Sequence, residues 1–124
     1  LLDIIKFVGY SSTPEYFLSA ADVLTLPSHR EGFGSVIIEA ASVGIPAIGS
    51  NIYGILDAVD DGNSGLLHKP RDINAIVAII QKLHADPLLL KSLGDFAHQR
   101  AIKDFNAKTI TSLWINFYHD IFKQ

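Results

Sequence analysis

The chain has 124 residues, 48% of them hydrophobic and 19% charged, which suits one packed core or part of a larger domain and excludes a disordered segment. A formal net charge of −3 gives no basic field and argues against nucleic acid as a ligand, while the lack of cysteine removes disulfides and thiolate chemistry, as fits a reducing compartment. No apolar run nears the roughly 18 residues of a membrane span, no signal peptide is visible, and a start at Leu1 in place of Met leads us to expect an excised fragment.

The β-branched, apolar run Ile4–Gly9 predicts a short buried strand closed by Gly9. Ser12 or Thr13 is placed to cap a short helix reaching about Ala21, with Pro14 and Glu15 in its first turn. Val23–Pro27 predicts a second strand, stopped by the proline. A glycine-rich loop follows, and then a helix over Ser35–Val43 whose inward face can use Val36, Ile37, Ala40 and Ala41. Gly44 ends that helix, Pro46 keeps it from resuming, and Ala47–Ser50 predicts a third strand. Asn51–Gly65 reads as a loop with one helical turn at Ile55–Val59, before a fourth strand ended by Pro70. Asp72 caps an amphipathic helix in which Ile73, Ile76, Val77, Ile80 and Leu83 recur at helical spacing. A second helix starts on Asp86 with Pro87 at its first position. A third, from about Ala107 to Phe122, carries a stripe of Ile110, Leu113, Trp114, Phe117, Tyr118 and Ile121. Strands alternating with helices imply a doubly wound α/β domain with a parallel, Rossmann-like sheet and a helical tail. Ligands of such sheets sit beyond the carboxyl ends of the strands, where the glycine-rich loop lies.

The loop reads "EGFGS" as it enters its helix. Gly32 and Gly34 allow positive φ and close approach of a ligand, so the N–H groups of Gly34, Ser35 and Val36 can converge at the positive end of the helix dipole. That is a cradle for an anion, and a diphosphate suits it. Glu31 and Glu39, with seven residues between them, would repel an anion unless they served hydroxyls, which carboxylates accept well. A diphosphate with a sugar at each end, a nucleotide sugar, satisfies all of these groups. The plainer alternative is a turn that only connects strand to helix, with a glutamate favoured near a helix start without any ligand.

The full string "LPSHREGFGSVIIEAASVGIPAIGS" resembles the donor-binding motif of retaining GT-B glycosyltransferases, the group 1 family with Glu, seven residues, Glu. Glu31, Gly32, Phe33, Gly34, Glu39, Ala40, Gly44 and Pro46 match it, and "FVGY", "YFLSAADVLTLPS" and "DGNSGLL" extend the likeness over nearly the whole chain. The resemblance implies that residues 1–124 are part of a carboxyl-terminal nucleotide-sugar-binding domain, without the acceptor domain, the first strand and helix, or the basic pair that clamps the diphosphate. Lys6 is a poor substitute for that pair, so the chain by itself should be inactive. By similarity Glu31 faces the transferred sugar at the reaction centre, as an orienting and electrostatic group more than a nucleophile, and Glu39 holds the ribose. Backbone amides over Phe33, Gly34, Ser35 and Val36 bind the diphosphate, and Gly9 and Tyr10 lie near the base. The implied reaction is retaining transfer of a hexose or N-acetylhexosamine to a saccharide or lipid-linked hydroxyl, with no cofactor and no metal. Helix amides and cations then stabilise the departing diphosphate. "SNIYGILDAV" departs from the common pattern, with Gly54 and Asp57 where a glycine pair and a glutamate are usual. That variant is similar to some bacterial surface-polysaccharide transferases, implying a cytoplasmic enzyme, with peripheral membrane association of the parent as a further expectation.

The other candidates are weaker. His29, His68, His84, His98 and His119 lack metal spacing, though His29 beside the motif could touch a ligand. "DAVDDGNSG" misses the calcium-loop pattern and reads as a solvated turn, and no G-x-S-x-G elbow surrounds a serine. The aromatic stripe of the last helix reads as packing surface, part of it open in a fragment. Two alternatives stay open: a non-catalytic nucleotide-binding or scaffold module that kept the fold, and a nucleotide-sugar epimerase on the same architecture.

Overall fold

Strand β2 (Ala47–Ser50) is the axis of the molecule, every one of its residues buried, as expected for a strand covered on both faces. In the computed structural model, which describes residues 2–123, it pairs in parallel with β1 (Leu24–Leu26) and β3 (Gly65–His68), in the order β1-β2-β3. Leu24 lies opposite Ala47, Ile48 opposite Leu66, and Ser50 opposite His68. Helices α1 (Pro14–Ser19), α2 (Ser35–Ser42) and the single turn α3 (Tyr53–Leu56) accompany the strands. Helices α4 (Ile73–Ala85), α5 (Pro87–Asp104) and α6 (Ala107–Phe122) follow β3.

Side-chain alternation along β2 builds two cores. Ala47 faces Ile37 of α2 and Ile55, Ala58 and Val59 of the α3 turn. Ile48 faces Leu83 of α4 and Leu93 of α5. A third contact, Ala41 on α2 against Ala97 and Ala101 on α5, uses small residues so that the two helices approach closely. The α/β expectation, with its parallel sheet and three closing helices, agrees with this architecture. Caps explain the helix starts: Asp72 accepts from Ala75 N–H, Asp86 from Leu89 N–H and Asn106 from Thr109 N–H, each at 2.9 Å.

Three local expectations are corrected. The strand expected at Ile4–Gly9 does not form; a 3-10 turn covers Leu2–Ile4, and residues 5–10 have no regular structure. Phe7 is 91% exposed there. A strand needs a neighbour for its N–H and C=O groups, and none of β1–β3 offers this segment one. The helical turn expected at Ile55–Val59 starts two residues earlier, at Tyr53, because Ile55 is driven fully into the core. On α4 the covered stripe runs through Ile79 and Leu83, and Ile73, Val77 and Ile80 face outward, Ile73 at 73% exposure. That helix is apolar on more than one side, so periodicity did not single out the face the sheet would choose.

No single described helix is long and apolar enough to cross a membrane; α4 and α5 meet the length and composition only as a pair, bent by 102°.

Candidate functional site

The site begins where β1 ends. Pro27 closes the strand, residues 28–34 form an irregular loop, and Gly34 is the residue before α2, in the left-handed region (φ 68°, ψ 48°) that favours glycine. With no side chain to cap the helix, only the Ile37 N–H is satisfied locally, donating to Gly34 O at 2.8 Å. Among the described residues no protein group accepts from the amides of Gly34, Ser35 or Val36. Three donors thus remain at the positive end of a two-turn helix, which supports anion binding.

Glu31 is half-buried in the loop, and its Oε1 accepts from the neighbouring Gly32 N–H at 3.2 Å. Glu39 lies one turn into α2, exposed, with no partner for its carboxylate among the described residues. The Phe33 ring packs on that of Phe105, the residue just after α5 (5.7 Å between centroids, tilted). Arg100 lies over the same Phe105 ring at 5.0 Å and donates at 2.7 Å to the carbonyls of Ala58 and Asp57. This stack fastens the loop, α5 and the end of the α3 turn together.

A groove of about 440 Å³ opens beside Glu31, walled by His29, Arg30, Glu31 and Gly32 on one side and by Ile52, Tyr53 and Gly54 on the other. Its far wall is held by a close approach of backbones. A Cβ on Gly54 would overlap the Glu31 carbonyl oxygen, so only glycine lets the 52–54 turn lie against this loop. The sequence marked Gly54 only as a departure from a pattern; that its backbone supports Glu31 depends on tertiary packing. Sequence reasoning does not single out Arg30, which brings a cation to the groove.

The predicted residues are therefore brought together in part. Glu31 and Gly32 share the groove with His29, and Gly34, Ser35 and Val36 form the adjacent amide cluster. Gly9 (φ 73°) and the exposed Tyr10 stand in the amino-terminal segment without regular structure, outside the walls of this groove. Among the described residues, no three His, Asp or Glu side chains converge as metal ligands would.

Comparison with known proteins places this geometry. Residues 1–100 match the family model for glycosyl transferases group 1. The chain is 35% identical over 120 residues to a glycogen synthase of Mycobacterium tuberculosis, covering 95% of this chain and 29% of that protein. It superposes on the sucrose-phosphate synthase of Thermosynechococcus elongatus with a TM-score of 0.89 and 35% identity, over 98% of this chain and 31% of that one. It also resembles a Staphylococcus aureus TarM variant solved in complex with UDP, among other ligands (TM-score 0.80, 28% identity, 88% of this chain and 22% of that one). The chain thus spans about a third or less of the relatives it matches. A family match over most of its length, on a parallel α/β sheet with the two-glutamate loop at its carboxyl end, means that the chain belongs to the group 1 glycosyl transferases.

Proposed function

We propose that this chain is the donor-binding part of a retaining glycosyltransferase that moves a hexose or N-acetylhexosamine from a nucleotide-diphospho-sugar to a hydroxyl acceptor. The observation that carries the reading is the set of three unpartnered amides, Gly34, Ser35 and Val36, with a carboxylate before and after them. The relatives' names support the transfer of sugars, and the TarM complex supports a uridine diphosphate moiety in the donor.

In this mechanism the amides and the helix dipole hold the diphosphate, growing more favourable as its leaving oxygen gains charge. Glu39 accepts from the ribose hydroxyls. Glu31 accepts from hydroxyls of the transferred sugar and, by its charge, favours the cationic character that develops at the anomeric carbon. The bond from that carbon to the phosphate oxygen breaks, and a bond to the acceptor oxygen forms on the same face. The acceptor proton passes to the departing phosphate, so neither a metal ion nor a covalent enzyme intermediate is required. Residues outside this chain supply the acceptor site and further cations. The variant "SNIYGILDAV" favours bacterial surface polysaccharide or glycoconjugate synthesis, at the inner face of the plasma membrane.

Calorimetric titration of the chain with UDP and with GDP tests the donor site and its base. We expect binding of one of the two, with Glu39→Ala about tenfold weaker for the loss of charge-assisted hydrogen bonds. Equal affinity in both proteins would remove Glu39 from the ribose role.

A further inference from the structure

The groove beside Glu31 contains a charge to which a neutral sugar offers no counter-charge. Arg30 lines it, and among the described residues the one ion pair is Lys91–Asp95, on α5 and outside the groove. Glu31 follows Arg30 in sequence, but its carboxylate is turned to the Gly32 amide and forms no ion pair with the guanidinium. A free guanidinium on a chain of net charge −3 is a local feature, not part of a basic surface. The three free amides lie outside the walls of the groove, so a diphosphate held by them leaves Arg30 facing what the groove itself contains.

Tyr53 gives the opposite wall an aromatic face that is 86% exposed. A phenol ring so placed presents a flat apolar face and a hydroxyl at the rim, the combination that suits the CH face of a pyranose. The groove volume of about 440 Å³ falls within the range of small-ligand sites, roughly 300–1,000 Å³, and accommodates one sugar ring with a substituent. Hydroxyls are matched by carboxylates and amides. A guanidinium presents a fork of donors and a full charge, which fit a carboxylate or a phosphate.

We propose that the saccharide bound beside Glu31 carries a negatively charged group, that Arg30 recognises this group, and that Tyr53 stacks on the sugar ring. The inference rests on reading Glu31 as the sugar-facing carboxylate and narrows the sugar of the proposed reaction to a hexose derivative that bears a carboxylate or a phosphate ester. Arg30 is then a specificity-determining residue, and Gly54 holds the Tyr53 wall at a fixed distance from it.

The test titrates the ¹⁵N-labelled chain separately with glucuronic acid, glucose 6-phosphate and glucose, following the amides of residues 29–32 and 52–54. The acidic sugars should shift these amides with about tenfold greater affinity than glucose, the usual scale of one charge-assisted contact. Whichever acidic sugar binds more tightly identifies the charged group. In Arg30→Gln the preference over glucose should disappear, in Arg30→Lys it should be partly kept, and in Tyr53→Ala all three sugars should bind more weakly. Equal binding of glucose by the unaltered chain, a preference that survives Arg30→Gln, or shifts confined to Gly34–Val36 would each overturn the proposal. A parallel UDP titration reads the donor site alone. Acidic sugars that bind where UDP does not would count against the donor reading and leave this one standing, and the reverse result would count against this one only.

Discussion

Gly54 shows how much of the site depends on a missing side chain. Its backbone lies against the carbonyls of Glu31 and Gly32, where a methyl group would overlap main-chain atoms that cannot rotate away. Gly54→Ala must therefore move the 52–54 turn or the Glu31 loop, at a cost of about 1–3 kcal/mol for forced overpacking. We expect a lower urea midpoint and weaker nucleotide binding in that variant; unchanged values for both would show that the turn does not support the loop. Ser50 is the contrasting case. It is fully buried (0% exposed), its hydroxyl has no partner, and the Nε2 of His68, its neighbour in register, has none either. The His68 Nδ1 donates to the Lys69 carbonyl (2.8 Å), and its Nε2 turns inward. Removing an unpaired hydroxyl sacrifices no hydrogen bond, so Ser50→Ala should change stability by less than about 1 kcal/mol, whereas Ile48→Ala should cost about 2–5 kcal/mol. Denaturant unfolding of the two variants separates these cases, and a large loss in Ser50→Ala would mean that the hydroxyl has a partner in solution. The two glutamates could be read from their spacing and their glycine-rich setting. Arg30 and Gly54 could not, because their importance comes from a wall contributed by a segment some twenty residues away.

At the level of elements, the loop is held from behind by α5. Phe33 meets Phe105, Arg100 covers the same ring, and its guanidinium satisfies two carbonyls at the end of the α3 turn. Arg100→Ala would free both carbonyls and the ring together. A loss of about 1–2 kcal/mol is expected for a partly exposed charged donor, with a rise in hydrogen exchange at residues 57–59 and in the Phe33 loop. Exchange confined to α5 would contradict the linkage. Helix starts were legible because they are local: Asp72 and Asp86 bond amides three residues on, and Pro87 suits a first turn. The strand expected at Ile4–Gly9 was not, because strand formation is decided by a partner and not by composition. The same holds for α4, whose surplus of isoleucine fits either face until the sheet selects Ile79 and Leu83.

On the scale of the whole molecule, the two-sided sheet is well covered at β2, while α6 is covered only at its start, where Thr109 and Ile110 are half-buried. None of its residues is fully buried, and Leu113, Trp114, Phe117, Tyr118 and Ile121 form a continuous open stripe in which the Trp114 ring packs on its helix neighbours Phe117 and Tyr118. Trp114 is the one tryptophan in the sequence and is 55% exposed, so in dilute solution its emission should be close to that of the free amino acid. A strongly blue-shifted spectrum at low concentration would show that the stripe is covered. The doubly wound architecture could be read from alternating elements, and the open stripe was anticipated as packing surface. The chain spans about 30% of the glycogen synthase and sucrose-phosphate synthase it resembles. What can be tested on the chain itself is the anion cradle at the start of α2. Chemical-shift mapping with UDP should move the amides of Gly34, Ser35 and Val36 more than any others, and the Glu39 amide with them. Shifts centred elsewhere, such as the basic turn at Lys69–Arg71, or no shift at Gly34–Val36 under saturating UDP, would contradict the account.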